Sequence, residues 1–347
     1  MRVLLTGGAG FIGAHVGAAL VADGDEVVVF DRVGAADLVP AGIVGDVTDL
    51  DAVGRALAGI DAVCHQAAKV GLGVDFCDAP GYVTDNDLGT ATLLRAMHDT
   101  GFAGPFVLAS SMVVYGEGRY CCAAHGVVSA APRRIADLEA GRYDPPCPEC
   151  GGALTPAAVP ETTPLDPRNV YAASKVAQEH LSAAFGREHP DVTVTALRYH
   201  NVYGPGMPRA TPYAGVAARF ADALAAGETA RVFEDGAQLR DFVHVRDVAR
   251  ANLLALRAGV PGAFNVASGT PRRLLEMAVA LADAFGPDAP RPEVVGGYRA
   301  GDVRHVFASP DRARAELGFR ATADFAAGMR DLARTLIGPV GHPAAKS

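Results

Sequence analysis

The stretch that most constrains the fold is the opening of the chain. An apolar run, Arg2-Val3-Leu4-Leu5, leads into Gly7-Gly8-Ala9-Gly10-Phe11-Ile12-Gly13 and then into a helix-like pattern. Glycines at that spacing let the backbone turn sharply between a strand and a helix. They also let a pyrophosphate approach the helix N-terminus, where N–H groups have no partner within the helix. A second apolar run, residues 27–30, ends at Asp31, about where an acid accepts hydrogen bonds from a ribose diol. Glycine turn and acid together predict a dinucleotide site. Asp31 would repel a 2′-phosphate, which favours NAD over NADP, and adjacent Arg32 softens that preference. Further on, Gly45-Asp46-Val47 ends another strand. Asp46 either accepts from the adenine amino group or caps the helix that begins near Asp49.

Strand-like runs continue to alternate with helical patterns. Residues 62–65 and 105–109 read as short buried strands, and residues 49–58 and 82–100 as helices. Such alternation implies βαβ units, a parallel sheet and right-handed crossovers. The rhythm breaks from 116 to about 168, where Pro, Gly, Cys and Arg dominate without a period. A structureless loop of that length is improbable inside a compact domain, so the stretch needs an organising device of its own. Afterwards residues 171–185 read as a helix and 193–197 as a strand. From about Gly204 the mixture of short elements suits a smaller lobe against the carboxyl edge of the sheet.

Composition narrows the function classes. Half of the 347 residues are hydrophobic, as in an ordinary globular α/β chain, and the formal net charge is −8. An acidic balance gives no general attraction to nucleic acid or an anionic membrane, so any phosphate site must be local. No apolar run approaches the roughly 20 residues that span a bilayer, and no export signal is visible. Six cysteines in such a chain are expected to be thiols or metal ligands, and the cytoplasm is the expected compartment.

Tyr171-Ala-Ala-Ser174-Lys175 puts a phenol and an ammonium four residues apart, on one face of a helix. A nearby ammonium and a positively charged nicotinamide lower the pKa of a tyrosine and make its phenolate a usable base. Upstream, Ser110-Ser111-Met112-Val113-Val114-Tyr115-Gly116 succeeds a buried strand and would deliver a serine hydroxyl to the same crevice.

At this point the chain resembles the extended short-chain dehydrogenase/reductase family of NAD-dependent sugar-nucleotide epimerases and dehydratases. The resemblance runs through Thr6 to Gly13, His65-Gln66-Ala67-Ala68, Asn86-Asp87-Leu88-Gly89-Thr90, Ser111 to Gly116 and Tyr171 to Lys175. It continues through Arg198-Tyr199-His200-Asn201-Val202-Tyr203-Gly204-Pro205, Arg240 to Asp247 and Arg299-Ala300-Gly301-Asp302. It implies a Rossmann-type, doubly wound parallel sheet over residues 1–116 and 169–203. A cysteine-rich zinc-binding insertion would occupy 117–168, and a smaller substrate-binding lobe 204–340 with short returns to the sheet. Ser111, Tyr171 and Lys175 would be the catalytic trio. NAD would lie against Gly7, Gly10, Phe11, Ile12, Gly13, Asp31, Arg32, Asp46 and Val47. Gln66, Ala67, Ala68, Lys69, Asn86, Ser110, Tyr171, Lys175 and His200 would complete its site. Asn201 and Arg240 would hold a diphosphate, Arg299 and Asp302 would reach the phosphate and ribose, and Phe233 lies where a base could rest. The substrate implied is a nucleoside-diphosphate sugar, most simply a dTDP- or UDP-hexose. Relatives are commonly homodimers through two helices, for which residues 82–100 and 171–185 are the candidates.

The choice of reaction rests on the two residues just after the serine. The family's 4,6-dehydratases carry an Asp-Glu pair there, and its decarboxylases carry Glu at the second position. Met112 and Val113 stand there instead, and neither can donate or accept a proton. The expectation is therefore 4-epimerisation with NAD regenerated in each turnover. A nucleotide-sugar 4-ketoreductase, which exchanges its cofactor, is the nearest rival, and a non-catalytic NAD-binding scaffold the distant one.

Cys122-x-x-His125 and Cys147-Pro-Glu-Cys150-Gly-Gly fall inside the irregular stretch. Two close pairs at this separation match a structural Cys₃His zinc site, with Cys121 a competing ligand beside Cys122. Four ligands would close the site, so the zinc would be structural. Cys64 reads as core and Cys77 has no clear role. Through Arg119 to Gly126, Cys147-Pro148-Glu149-Cys150-Gly151 and Arg198 to Gly206 the chain resembles the family's subgroup that includes dTDP-L-rhamnose 4-epimerase. The insertion would emerge beside the sugar pocket as a lid or substrate wall.

Overall fold

The structure is a computed structural model, and it describes residues 1–34, 42–71, 75–208, 215–299 and 301–337. Residues 209–214, Ala300 and positions 338–340 of the expected lobe therefore lie outside the described residues.

The chain begins as predicted, with strand β1 (Arg2–Thr6), the glycine turn and helix α1 (Phe11–Ala22). Strands β2 (Glu26–Asp31) and β3 (Gly42–Val44) come next, then α2 (Leu50–Ala56) and β4 (Ala62–His65). The helix expected over 82–100 is in fact composite. It comprises α3 (Ala79–Tyr82), a π-helical turn (Val83–Leu88) and α4 (Gly89–Asp99). Strand β5 (Gly104–Ser111) then carries the serine pair. Later strands β9 (Val192–Tyr199) and β14 (Gly262–Val266) complete a seven-stranded parallel sheet in the order β14-β9-β5-β4-β1-β2-β3. The order reverses between β1 and β4, and a ligand crevice is expected outside the strand ends there.

Burial on both faces explains the strands' apolar runs. Val3 and Leu5 of β1 pack on one side with Val16 and Leu20 of α1, and Leu4 packs on the other with Val53, Leu93 and Met97. Period-two alternation thus divides one strand between two cores.

The irregular stretch supplies its own organisation. Strands β6 (Arg119–Cys122), β7 (Gly126–Val128) and β8 (Leu154–Ala157) form an antiparallel sheet of order β7-β6-β8, joined through α5 (Ile135–Glu139). Tyr120, Cys122, Val128, Ala130 and Cys147 form its small core. Helix α6 (Val170–Glu188) is next, N-capped by Asn169, whose Oδ1 accepts from Ala172 N at 2.8 Å.

Beyond β9 the chain builds β10 (Asn201–Tyr203), α7 (Val216–Ala225), β11 (Arg231–Phe233), β12 (Leu239–Arg240) and β13 (Phe242–His244). Helix α8 (Val245–Ala258) returns to pack on α1 and leads into β14. The last elements are β15 (Arg272–Arg273), α9 (Leu274–Phe285), β16 (Glu293–Gly296), α10 (Asp311–Glu316) and α11 (Phe325–Ile337). Helices α7, α9 and α11 share a separate core around Phe220, Met277, Leu281, Met329 and Leu332. No helix among the described residues is long and apolar enough to cross a membrane.

Candidate active site

A cleft of about 720 Å³ opens along the carboxyl ends of β1, β2, β4 and β5. Its floor is the glycine turn. Gly7 has φ +69°, and a Cβ there would lie 2.5 Å from Ala67 N. At Gly13 a Cβ would meet the Gly7 carbonyl at 2.1 Å. Backbone this close leaves no room for any side chain. Gly10 caps α1 without a side-chain hydrogen bond, and no acid occupies the first turn. The first N–H groups of α1 therefore present positive charge with nothing to oppose a phosphate. Asp31 accepts from Ala9 N at 3.0 Å and from Val33 N at 3.2 Å, which sets its carboxylate at the rim. A cleft with this cradle fits a dinucleotide.

Fifteen of the residues expected at the cofactor line this cleft: Gly7, Gly10, Phe11, Ile12, Gly13, Asp31, Arg32, Val47, Gln66, Ala67, Ala68, Ser110, Tyr171, Lys175 and His200. Three others stand elsewhere. Asp46 accepts from Arg32 Nε at 2.8 Å and from Thr48, and Arg32 also grips Asp85 in a fork at 2.7 and 3.2 Å. The helix-capping alternative for Asp46 does not hold, because Asp49 caps α2 through Ala52 N at 3.0 Å. Lys69 turns to Asp78 at 3.5 Å and over the Tyr82 ring. Asn86 is fully buried behind the wall, bonded to Lys69 N and O and to Ser174 Oγ.

The Ser-Tyr-Lys group converges as the spacing predicts. Ser111 ends β5, with its hydroxyl beside the Tyr171 phenol, whose pKa it lowers. Lys175, one helical turn beyond Tyr171, donates to the Ala109 carbonyl at 2.8 Å, with its ammonium 6.0 Å from the Tyr171 ring centroid. Burial pushes the Tyr171 phenol up to about 12, opposed by Ser111, and pulls Lys175 down to about 7. The expected lowering of the phenol combines this ammonium with the positive charge of a nicotinamide. Among the chain's own groups desolvation dominates, because the cation sits beside the ring and bonds a carbonyl rather than the phenol oxygen.

Sequence reasoning missed the support beneath this trio. Glu179, a further turn along α6, hydrogen-bonds Ser110 Oγ and takes Arg198 in a fork at 2.9 and 2.7 Å. Arg198 also donates to Tyr115 Oη at 2.9 Å, and that hydroxyl donates to Asn265 at 2.8 Å. The signal was present in the i, i+4 spacing from Lys175 to Glu179. On the substrate side Asn201 lines the cleft, and its buried Oδ1 has no partner among the described residues. Phe233 is half exposed on β11, while Arg240 is buried and bonded to backbone carbonyls. Arg299 and Asp302 lie in the segment beyond β16.

In the insertion, Cys122, His125, Cys147 and Cys150 bring one donor atom each within 4.8 Å of the others. Cys122 Sγ lies 3.5 Å from His125 Nδ1 and 3.7 Å from Cys150 Sγ. Backbone N–H groups of Ala124 and His125 face the Cys122 sulfur and lower its thiol. Cys121 belongs to the strand position that pairs with Val127 and Thr155, and its thiol is not in the group. The donor chemistry suits a thiophilic dication.

A family model described as the NAD dependent epimerase/dehydratase family matches residues 3–129 and 149–267. A dTDP-L-rhamnose 4-epimerase of Burkholderia thailandensis is 34% identical, over 95% of this chain and 93% of its own. A UDP-glucose 4-epimerase of Mycolicibacterium smegmatis is 32% identical, over 95% and 96%. Among solved structures, the UDP-glucose 4-epimerase of Thermus thermophilus in complex with NAD superposes with TM-score 0.78 at 32% identity, covering 98% of this chain and all of that one.

Proposed function

The chain belongs to the NAD dependent epimerase/dehydratase family, and from that premise we propose that it is a nucleoside-diphosphate-sugar 4-epimerase working by transient oxidation at C4. The observation that carries this reading is the wall beside the trio. Met112 and Val113 line the same cleft as Ser111 and Tyr171, and they give elimination or decarboxylation no acid or base to use. Bound NAD would supply the hydride acceptor and a positive charge that favours the phenolate of Tyr171. Tyr171 takes the proton of the sugar 4-hydroxyl, and Ser111 orients that hydroxyl and the phenol together. Lys175 holds the ammonium near the ring. After the 4-keto sugar turns over, Tyr171 would return the proton to the C4 oxygen, and the reduced NAD would supply the hydride for the other face of C4. Protons balance without a further group.

Asn201, Arg240, Arg299 and Asp302 are the proposed hold on the nucleoside diphosphate, with Phe233 beneath the base. Planar guanidinium forks suit phosphate oxygens. The division proposed for the chain is 1–116 with 169–203 for NAD, 117–168 for the insertion and 204–340 for substrate. Cys122, His125, Cys147 and Cys150 are proposed to hold a structural zinc ion, since four protein ligands leave no position for water. The apolar residues exposed along the π-helical turn and α6 support a homodimer.

The deciding experiment incubates the purified protein with UDP-, dTDP- and GDP-hexoses without added cofactor and tracks the sugar by NMR. The expected result is a C4 epimer. Product formed only with stoichiometric NADPH selects the ketoreductase and overturns the proposal.

A further inference from the structure

The family model leaves residues 130–148 unmatched, yet two side chains from that stretch reach the lobe that carries Arg240. Arg133 has a buried side chain that donates to Glu234 Oε1 at 2.8 Å and to the Asp302 carbonyl at 2.7 Å. Asp144 accepts from Arg304 Nε at 2.8 Å and faces His305 Nε2 at 3.0 Å. Arg304 is wholly buried, and its remaining nitrogens close on Glu234 and Asp235 at 2.7 to 2.8 Å. Glu234 comes directly after Phe233 and is the one non-glycine residue with positive φ, 57°, among the described residues. Charged hydrogen bonds therefore tie the insertion, the turn after β11 and residues 302–305 into one unit.

Arg240 depends on the same unit. Its guanidinium donates to the carbonyls of Leu239 at 2.9 Å, Val303 at 2.6 Å and Arg304 at 2.9 Å. A cation held by carbonyls keeps its charge for an incoming anion. Its aim is only as firm as the backbone of 303 and 304. That backbone is held by Asp144 through the Arg304 side chain, and Asp144 lies just before the metal-type ligand Cys147 in sequence.

We infer that the metal-held insertion positions the nucleoside-diphosphate site, acting through Asp144 and Arg133 on residues 302–305 and so on Arg240. The inference rests on the proposed nucleotide-sugar reading of Arg240. Asp144 and Arg133 are positioning residues, since neither is assigned a contact with the sugar or the diphosphate. Supporting side chains of this kind set how well a binding group is pre-aimed, not what it binds.

The test uses the holoprotein, with bound zinc and NAD measured, and titrates UDP and dTDP by calorimetry alongside steady-state kinetics. The Asp144 side chain is 64% exposed, so Asp144→Ala opens no cavity, and Arg304 keeps Glu234 and Asp235. Asp144→Ala is expected to raise the nucleoside-diphosphate Kd and the KM about tenfold, with kcat at saturation within about twofold and NAD content unchanged. Chelating zinc from the wild type should do the same. Chelating it from Asp144→Ala should add less than it does to the wild type, because the Asp144 link is already cut and only the Arg133 link to Glu234 and residue 302 remains to be lost. Unchanged Kd in both, a wild type without zinc, or kcat and NAD content falling together with affinity would overturn the inference. A wild type that binds no nucleoside diphosphate at all defeats the functional reading itself, and the inference with it.

Discussion

Lys175 is the buried charge on which the pH behaviour of the site turns. An unfolded lysine keeps its proton up to about 10.5, whereas burial brings Lys175 down to about 7. Between those values the unfolded chain holds the extra proton, so stability rises with pH across that window, and below about 7 the whole desolvation cost is felt. Lys175→Met removes the titration. Its stability relative to wild type, from chemical denaturation, should be greatest at pH 6 and should decline steadily towards pH 10. A difference independent of pH would contradict the buried, titrating amine. Tyr171 makes a separate demand. Its phenol lines the cleft beside Ser111, so Tyr171→Phe should cost about a thousandfold in kcat while UDP or dTDP still binds. Retention of more than a tenth of the activity would assign the proton transfer elsewhere.

At the scale of elements, the β1–turn–α1 unit shows most directly how sequence becomes function. The Gly13 Cα lies against the Gly7 carbonyl, and a methyl group would approach that oxygen to 2.1 Å. The turn must then open and carry the first N–H groups of α1 away from a bound pyrophosphate. Gly13→Ala is expected to purify with less than about a tenth of the wild-type NAD, read by absorbance after denaturation, and with a lower Tm. Full NAD content would mean that the turn can yield without harm. This element was legible beforehand because its constraint is local: three glycines, a strand before and a helix after. The Tyr171, Lys175 and Ser111 arrangement was legible for the same reason, through helical period and strand order. Asn86 and Lys69 were less so, because only the π-helical turn decides whether they face the cleft or stand behind it. Arg133, Asp144 and Arg304 could not be paired from sequence at all. Their partners lie 101, 160 and 70 positions away, and charged residues at such separations carry no periodic signature.

For the whole molecule, the outstanding physical question is the apolar surface on the side formed by α3, the π-helical turn, α4 and α6. Phe76, on the short turn Phe76–Asp78 that leads into α3, is 81% exposed; Val83 and Leu88 on the π-helical turn are 50% and 51% exposed, and Leu181 on α6 38%. Single exposed apolar residues are ordinary on a monomer, but these lie on elements packed against one another, and clustered exposure marks an interaction surface. With a net charge of −8 the chain already repels its own copies at long range, so a stable association has to come from contact. A twofold pairing presents the same face twice, and each substitution in it therefore acts twice. Leu88→Glu would bring two carboxylates into the buried interface, where an unpaired charge costs several kcal/mol. The wild type is expected to sediment as a dimer at micromolar concentration, and Leu88→Glu to dissociate with a Kd at least about a hundredfold higher. Because Leu88 is outside the cleft, the monomer should still retain NAD. A wild type that sediments as a monomer at all concentrations would remove the case for this face, and a dimer undisturbed by Leu88→Glu would move it elsewhere on the surface.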